Sequence, residues 1–416
     1  MAGGNKPIRV GAVGVGRGSS FAVGAPYVGM ELVALCDTWE ERLIEVGKRF
    51  GVATYTDYDA FLSHDMDAVI LANYFHEHAP FAVKALERGL HVISECAACH
   101  TLAEGVALAR AVEKSGRIYL FAENYPYMAY NQEMRRLYRE GTVGEFRYGE
   151  GEYIHPFGAE DANRLAPGYD HWRNWIPATY YCTHAIGPVM FITDTRPVKV
   201  NGFVVPYDYD DPQMTNTVRR MDTVGVLILR MDNGAVVKAM QFHLRGHGNF
   251  TRIHGNRGLM ECGRGADQAK VRLHIESFDA PDGKAVEKVY EPDFPELAER
   301  AHGAGHGGGD FFTMHHFAEA IRTGEQPYLD VYRGIDMSIA GILAWRSALN
   351  NSAPLDIPDL RKEEVRRQYE RDDWSPDPAR KGPGQPPSSI LGEIAPSKEA
   401  VDFARKVWRS MGYFGE

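Results

Sequence analysis

The sequence predicts a protein of the α/β plus α+β class, in which a doubly wound parallel sheet is followed by an open, mainly antiparallel sheet. Short β-branched strands alternate with amphipathic helices as far as Glu123, which is typical of a parallel sheet covered on both faces. Beyond Glu123 this alternation stops, and longer stretches of alternating apolar and polar residues follow. Such stretches favour antiparallel strands with one covered face.

The first part of the chain is expected to form a domain over residues 1–124. Its predicted strands are Ile8–Val15, Glu31–Leu35, Ala68–Leu71, His91–Ile93 and Ile118–Phe121. Apolar residues recur with helical spacing in the segments Glu40–Phe50, Phe81–Arg88 and Glu104–Lys114. Strands and helices therefore alternate, as parallel strands require, because their connections must cross the sheet.

A second domain is expected over residues 125–355, with an extension over residues 356–416. The predicted strands are Glu145–Tyr153, Val198–Val205, Asp222–Met231 and Ala235–Phe242, and the predicted helices are Phe311–Thr323 and Tyr332–Asn350. Asp232-Asn233-Gly234 predicts a hairpin. The extension holds a charged helix candidate, the Pro/Gly-rich linker DPARKGPGQPPSS and an amphipathic segment, Lys398–Met411. We expect it to pack on the parent chain or on a partner subunit.

Composition and charge narrow the classes of ligand. The 416 residues carry a net charge of −10, which disfavours nucleic acid or an anionic membrane as the partner and favours a small molecule or carbohydrate. The odd set of five cysteines, Cys36, Cys96, Cys99, Cys182 and Cys262, argues against a disulfide framework. The Cys96-x-x-Cys99 pair has no second pair to complete a zinc site, so we expect incidental thiols. With no leader-like start, these features predict a cytoplasmic protein.

A glycine-rich turn follows the first predicted strand. Gly14-Val15-Gly16 permits a tight turn at which backbone N–H groups can approach a pyrophosphate, with Arg17, Gly18 and Ser19 completing the loop. Ser19 stands where this fingerprint has Gly or Ala. The turn predicts a dinucleotide-binding Rossmann domain.

Polar residues follow the next strands. Asp37, about 20 residues after the turn, would accept hydrogen bonds from ribose hydroxyls and repel a 2′-phosphate, which favours NAD over NADP. The alternative for Asp37 is a helix N-cap. Asn73, His76 and His78 lie just beyond the third predicted strand, at the edge where cofactors bind in open sheets. We expect them at the cofactor, although one of these histidines could instead cap or pack.

Five features in this order resemble the Gfo/Idh/MocA oxidoreductases: Gly14-x-Gly16, Asp37, Asn73 with His78, the string GLHVISE ending at Glu95, and Glu123-Asn124. The likeness covers about residues 7–355 and implies an NAD-binding Rossmann domain followed by an open-sheet substrate domain. It adds Glu95 and Asn124 to the cofactor site, and it implies a homo-oligomer. Most members are sugar or inositol dehydrogenases with a Glu-Lys-Pro signature, which here reads Glu95-Cys96-Ala97. The usual lysine for proton transfer is absent.

Three further strings are similar to the NAD-dependent glycosidases of α-N-acetylgalactosaminidase type within that family: GEYIHP, YYCTHAIGPV and GHGGGDF. Cys182 and Gly309 depart from the subgroup's pattern. The resemblance implies a glycoside hydrolase that works by transient oxidation at sugar carbon 3, elimination, water addition and re-reduction. An NAD-dependent sugar or cyclitol dehydrogenase is the alternative, followed by a non-catalytic NAD sensor.

The same resemblance suggests residues for the chemistry. His184 is expected to take the hydroxyl proton and Tyr153 the proton on carbon 2, with His155, His171 and Tyr181 assisting the leaving group or contacting the sugar. A tyrosine in an alternating strand is otherwise a packing residue.

Trp172, Arg173 and His306 complete the expected substrate contacts. The segment around Trp172 could instead anchor a surface loop. We interpret the His- and Gly-rich segment 302–309 as a substrate or cofactor loop and expect no metal site.

Overall fold

Two compact units make up the computed structural model, which describes residues 6–380 and 382–415. The first unit comprises the chain up to Gln132 with Asp293–Ile335 and Leu360–Arg371, and the second comprises Glu133–Pro292, Asp336–Asp359 and Asp372 onward. Both units are discontinuous, because the chain returns to the first unit after Pro292. The predicted domain limits at residues 124 and 355 remain a prediction, and the first five residues lie outside the described ones.

Fifteen strands and fourteen helices are formed by the described residues. The strands are β1 (Ile8–Val13), β2 (Met30–Cys36), β3 (Ala53–Tyr55), β4 (Ala68–Leu71), β5 (His91–Ser94), β6 (Tyr119–Phe121), β7 (Phe146–Ile154), β8 (Pro197–Val205), β9 (Val224–Met231), β10 (Val236–Phe242), β11 (Gly248–Gly255), β12 (Gly258–Cys262), β13 (Val271–Ile275), β14 (Val286–Tyr290) and β15 (Leu355–Asp356). The helices are α1 (Gly18–Gly24), α2 (Glu40–Phe50), α3 (Tyr58–Phe61), α4 (His78–Glu87), α5 (Leu102–Ser115), α6 (Ala129–Arg139), α7 (Ala159–Leu165), α8 (Thr183–Thr193), α9 (Pro212–Thr215), α10 (Ala298–Ala301), α11 (Gly309–Thr323), α12 (Val331–Leu349), α13 (Glu363–Tyr369) and α14 (Lys398–Ser410).

The first unit contains the predicted doubly wound parallel sheet. Its six strands run in the order β3-β2-β1-β4-β5-β6, and every pair is parallel. The strand order reverses between β1 and β4, and ligands of such sheets bind outside the carboxyl ends of the strands at this point. The predicted strands are confirmed within a few residues. The edge strand β3 was not predicted, because three residues are too few to show a period.

The second unit contains the open, mainly antiparallel sheet that the sequence predicts. Its nine strands run in the order β14-β13-β12-β11-β7-β10-β9-β8-β15, and only β7 and β10 pair in parallel. Asp232-Asn233-Gly234 forms the predicted hairpin between β9 and β10, with Gly234 at a φ of 87°. Strands β11 to β14 were not predicted, because charged residues interrupt the apolar alternation in this part of the chain.

The end of the chain packs on its parent unit. The indole N–H of Trp408 on α14 donates to the carbonyl of Asn163 on α7 at 2.9 Å. Trp408 and Ala404 form a small buried cluster with Val218. The predicted amphipathic segment is therefore a helix whose apolar face is covered within the same unit.

The helix α8 lies directly against the strand β7. A Cβ atom on Gly151 would lie 1.8 Å from the carbonyl oxygen of Ala185, so the backbones can approach this closely only because residue 151 has no side chain. This contact fixes the distance between Tyr153, two residues further along β7, and His184, at the start of α8.

No helix in residues 6–380 and 382–415 combines the length and apolar character that crossing a bilayer requires. All five cysteines are buried thiols that form no disulfide.

Gly151→Ala is expected to lower the free energy of unfolding by about 1–3 kcal/mol, because the new methyl group must push α8 away from β7. Urea denaturation of the purified protein measures this. Gly248→Ala is the matched control on β11, since its Cβ would meet only the Gln268 side chain at 3.8 Å. Equal stability of the Gly151→Ala variant and the wild type would contradict the close contact.

Candidate active site

The turn between β1 and α1 is built for close approach to a ligand. Gly14 has a φ of 88°, and a Cβ there would lie 2.3 Å from the carbonyl oxygen of Ala72. A Cβ on Gly16 would meet nothing within 4 Å. Within the described residues, the amides of Gly16 and Arg17 donate no hydrogen bond. Two backbone donors next to open space are what a pyrophosphate requires.

Asp37 ties this turn to the end of β2. Its Oδ2 accepts a hydrogen bond from the Val15 amide at 2.7 Å, and its Oδ1 accepts one from the Trp39 amide at 2.8 Å. The alternative interpretation of Asp37 as a helix N-cap is wrong, because the N-cap of α2 is Trp39, two residues further along the chain. Asp37 instead closes an Asx turn that ends on the Trp39 amide. Each carboxylate oxygen retains a lone pair for a ribose hydroxyl.

Arg17 is held between two carboxylates of the first unit. Its Nε donates to Glu95 at 2.7 Å, and its two terminal nitrogens donate to both oxygens of Asp310 at 2.8 and 2.6 Å. Asn124 Nδ2 also donates to Asp310, at 2.8 Å, and His306 Nδ1 lies 2.9 Å from it. Three of the predicted cofactor residues, Arg17, Glu95 and Asn124, therefore meet.

Asp310, which belongs to the string GHGGGDF, is the centre of this cluster. Burial alone would raise the pKa of Asp310, but the hydrogen bonds from Arg17 and His306 outweigh burial and lower it below its usual range. The carboxylate is therefore ionised at neutral pH. The predicted substrate residue His306 lies here in the first unit, and its role at the substrate remains a prediction.

Buried polar atoms without a partner lie at the carboxyl edge of the parallel sheet. His78 donates from Nδ1 to the Ala97 carbonyl at 3.0 Å, and burial lowers the pKa of its ring. The ring is then neutral, and its Nε2 is an unused acceptor. Asn73 Oδ1 and Asn124 Oδ1 also lack a partner among the described residues. These three atoms are available to a bound dinucleotide, whereas the ring of His76 packs 5.9 Å from that of His100.

In the second unit, the residues predicted for chemistry form one cluster of rings. Tyr153 on β7 lies 4.7 Å from His184 on α8, measured between ring centroids, and 5.8 Å from Tyr181. Tyr181 ends a 3-10 turn, Ala178–Tyr181, and its ring lies 5.2 Å from that of His184. The spacing Tyr-x-x-His therefore brings both side chains to Tyr153 because the turn leads straight into α8.

His155 adjoins this cluster through its contact with Tyr153. The two rings are 5.7 Å apart, and the ring of His155 also stacks on Phe157 at 4.4 Å and meets His247 at 4.5 Å. Burial, together with the nearby His247 and Arg173, lowers the pKa of His155 to about 4. His155 is therefore a neutral imidazole at neutral pH.

The segment His171-Trp172-Arg173 forms an aromatic platform next to Tyr181. The ring of Trp172 stacks on that of Tyr181 with centroids 6.0 Å apart. The guanidinium of Arg173 lies over both rings, at 4.2 and 5.6 Å. His171 accepts a hydrogen bond from the Arg173 amide at 3.2 Å, which orients the segment. The structure thus joins all three predicted residues to the ring cluster of the second unit.

Two segments of the chain match known protein families. Residues 8–123 match the family described as "Oxidoreductase family, NAD-binding Rossmann fold", and residues 210–366 match "Glycosyl hydrolase 109, C-terminal domain". These matches confirm the resemblance found in the sequence and the predicted cofactor, NAD.

Curated relatives extend over most of the chain. A glycosyl hydrolase family 109 protein of Saccharopolyspora erythraea is 24% identical over 86% of this chain and 84% of the relative. An alpha-N-acetylgalactosaminidase of Shewanella oneidensis is 24% identical, with 85% of each chain covered. A solved structure of levoglucosan dehydrogenase with NADH and levoglucosan has a TM-score of 0.73 at 20% identity, covering 85% of this chain and 100% of that one. This last likeness confirms the fold.

Asp37→Ala is expected to weaken NAD binding about tenfold or more, because a charged acceptor for the ribose hydroxyls is lost. It should also reduce the preference for NAD over NADP, a ratio that general damage to the turn would not change. Titration with both dinucleotides measures the two effects. Asp57→Ala is the matched control, since Asp57 also accepts a backbone N–H, that of Ala60, at 2.7 Å. An unchanged NAD/NADP ratio would contradict the ribose assignment.

Proposed function

Because the chain joins a match to the NAD-binding domain of the Gfo/Idh/MocA oxidoreductases with a match to the C-terminal domain of glycosyl hydrolase 109, we propose that it is an NAD-dependent glycoside hydrolase. It cleaves a glycosidic bond by transient oxidation at sugar carbon 3, elimination, water addition and re-reduction. One observation carries the proposal. Tyr153, Tyr181 and His184 meet within 5.8 Å, measured between ring centroids, in a chain whose Glu-Cys-Ala string lacks the usual lysine.

The first unit supplies the cofactor site. The turn at Gly14 and Gly16 receives the pyrophosphate, with Gly18 and Ser19 in the first turn of α1, and Asp37 receives the adenosine ribose. Asn73, His78 and Asn124 offer their unused polar atoms to the rest of the dinucleotide. When bound, NAD supplies reversible hydride transfer at carbon 3 of the sugar.

The second unit supplies the proton transfers. His184 accepts the proton of the carbon 3 hydroxyl on a ring nitrogen, because a neutral imidazole has one nitrogen that can act as an acceptor. The phenolate form of Tyr153 removes the proton on carbon 2, which a neighbouring ketone makes acidic, and becomes the neutral phenol. Tyr181 and the neutral His155 assist the departing oxygen, and the platform of His171, Trp172 and Arg173 binds the sugar face.

A sugar dehydrogenase is the second candidate, because the most similar solved structures include levoglucosan dehydrogenase. A dehydrogenase consumes one NAD for each product molecule and leaves a glycosidic bond intact. The hydrolase needs only catalytic NAD, accumulates no NADH, and exchanges the proton on carbon 2 with solvent.

In deuterium oxide, the purified holoenzyme is therefore expected to release the aglycone with catalytic NAD and to place deuterium at carbon 2 of the sugar. His184→Ala should lower turnover by about 10²–10⁴-fold, because a positioned general base is lost, while NAD binding persists. Mass spectrometry and NAD titration measure these outcomes. His274→Ala is the matched control, since His274 pairs with Glu287 on β13 and β14. NADH produced in proportion to product, with the glycoside intact, would establish the dehydrogenase instead.

A homo-oligomer associated through the open sheet is part of the proposal. The sheet carries a ladder of ion pairs that includes Lys238–Glu150, Arg252–Glu261 and Arg272–Glu287, and mixed charges of this kind suit a two-fold related copy. Light scattering is expected to give a dimer or larger species, and a monomer at all concentrations would exclude the homo-oligomer.

Buried thiols without disulfides support a reducing, cytoplasmic compartment.

A further inference from the structure

Arg219 is a buried cation without a counterion among the residues that the structure describes. It is 1% exposed in the second unit, and the one hydrogen bond of its guanidinium to a described residue joins Nη1 to Nδ1 of His243 at 3.3 Å. Its Nε has no partner among the described residues, and no carboxylate pairs with it there. Burying a guanidinium without an anion is costly, so a structure that does so has a reason to keep the charge.

His243 presents a second unused donor beside it. A guanidinium can only donate, so Nδ1 of His243 is the acceptor of that hydrogen bond. Burial and the adjacent Arg219 lower the pKa of His243 well below its usual value, and the ring is neutral. The ring proton then resides on Nε2, which is buried and has no partner within the described residues. Two neighbouring residues thus hold N–H groups that lack an acceptor.

The surroundings of this pair are positive. Arg173 is a further positive group that acts on His243, and neither Arg173 nor Arg219 pairs with a carboxylate in the described part of the chain. Arg245 also acts on His243, but it differs from Arg173 and Arg219 because it pairs with a carboxylate, that of Asp211, at 2.6 Å. Asp211 therefore compensates the charge of Arg245. Among the described residues, Arg219 and Arg173 have no carboxylate of their own.

The backbone at Phe242 links this group to the ring cluster. Phe242 has a φ of 103°, which is costly for an aromatic residue and is typical of functional sites. Its ring lies 5.3 Å from Tyr181 and 4.1 Å from His243. Phe157 likewise lies between His155 and His243. The positive group therefore adjoins the residues proposed for chemistry.

We propose that Arg219 and His243, with Arg173 and His155, form a subsite for an oxyanion carried by the sugar substrate: a carboxylate, a sulfate ester or a phosphate ester. This rests on the proposed glycosidase function and gives its substrate class, which is acidic rather than neutral glycosides. The donors Arg219 Nε–H and His243 Nε2–H would pair with the anion, which would also compensate the buried charge.

The test compares matched glycosides on the NAD-loaded protein: a nitrophenyl galactoside, the corresponding galacturonide, and the 6-sulfate and 6-phosphate esters, each as both anomers. At least one acidic member is expected to show a kcat/KM about tenfold or more above the neutral one, as a charge-assisted pair predicts. Which acidic member leads identifies the source of the oxyanion. Equal or higher kcat/KM for the neutral glycosides would overturn the inference.

Variants assign the preference to these residues. Arg219→Gln is expected to bring the acidic-to-neutral ratio close to one, and His243→Asn serves the same purpose if the first variant does not fold. Arg346→Gln is the matched control, because it removes a guanidinium of the same unit that is already paired with a carboxylate, Asp372. It should keep the ratio. A ratio that survives both Arg219→Gln and His243→Asn would overturn the assignment.

A binding measurement separates the subsite from the proposed activity. Thermal unfolding of the NAD-loaded protein is followed with galacturonate, galactose 6-sulfate, galactose 6-phosphate and galactose. An increase in Tm with an acidic sugar only, lost in Arg219→Gln or His243→Asn, supports the subsite even if no glycoside is cleaved. Cleavage of neutral glycosides with no stabilisation by any acidic sugar would leave the hydrolase intact and overturn the subsite.

Discussion

The close approach of α8 to β7 is the constraint on which the candidate chemistry depends. With no side chain at Gly151, the carbonyl of Ala185 rests against the strand, and His184 and Tyr153 meet at 4.7 Å. Proton transfer requires distances that hold within a fraction of an ångström. Here the separation of α8 and β7 is set by contact between two backbones. The position of His184 is thus set by the core of the second unit.

In the first unit, the residues near the glycine-rich turn are held by ion pairs, whereas α8 and β7 of the second unit are held by close backbone packing. Arg17, Glu95 and Asp310 form a partly buried ion-paired group, to which Asn124 and His306 add hydrogen bonds. Removing one of the three charged members would leave another charge uncompensated. It joins the glycine-rich turn to α11, which comes from the segment that returns to this unit late in the chain. Distant parts of the sequence thereby meet at the glycine-rich turn.

The local spacing of apolar residues predicts the fold class. Sequence motifs predict only some of the residues in the candidate site. The strands from β1 to β6, apart from the short β3, and the helices α2, α5 and α11 appear where apolar spacing places them. The strands β11 to β14 were missed because their exposed residues are paired charges, which the sequence alone presents as polar loops. Asp310 could not be recognised as a partner of Arg17, since nearly three hundred residues separate them.

The role proposed for Arg219 could not be predicted from the sequence, for a different reason. Its neighbour Arg220 pairs with Asp170 and the Tyr169 carbonyl, and in the sequence the two arginines are alike. Only burial, together with the lack of an acid among the described residues, distinguishes them. By contrast, the motif around Tyr181 and His184 was visible because a tight turn and a helix start keep its spacing short.

Asp37 shapes the glycine-rich turn, and the proposed function gives it a second task at the ribose. Its carboxylate shapes the turn through the Val15 amide while it faces the place assigned to the ribose. Evolution toward a phosphorylated dinucleotide would ordinarily exchange this acid for a neutral or basic residue. In this chain the same exchange would also remove the acceptor for the Val15 amide, so keeping the present conformation of the turn would require a second substitution that restores this acceptor. The preference between the two dinucleotides is therefore coupled to the conformation of the turn.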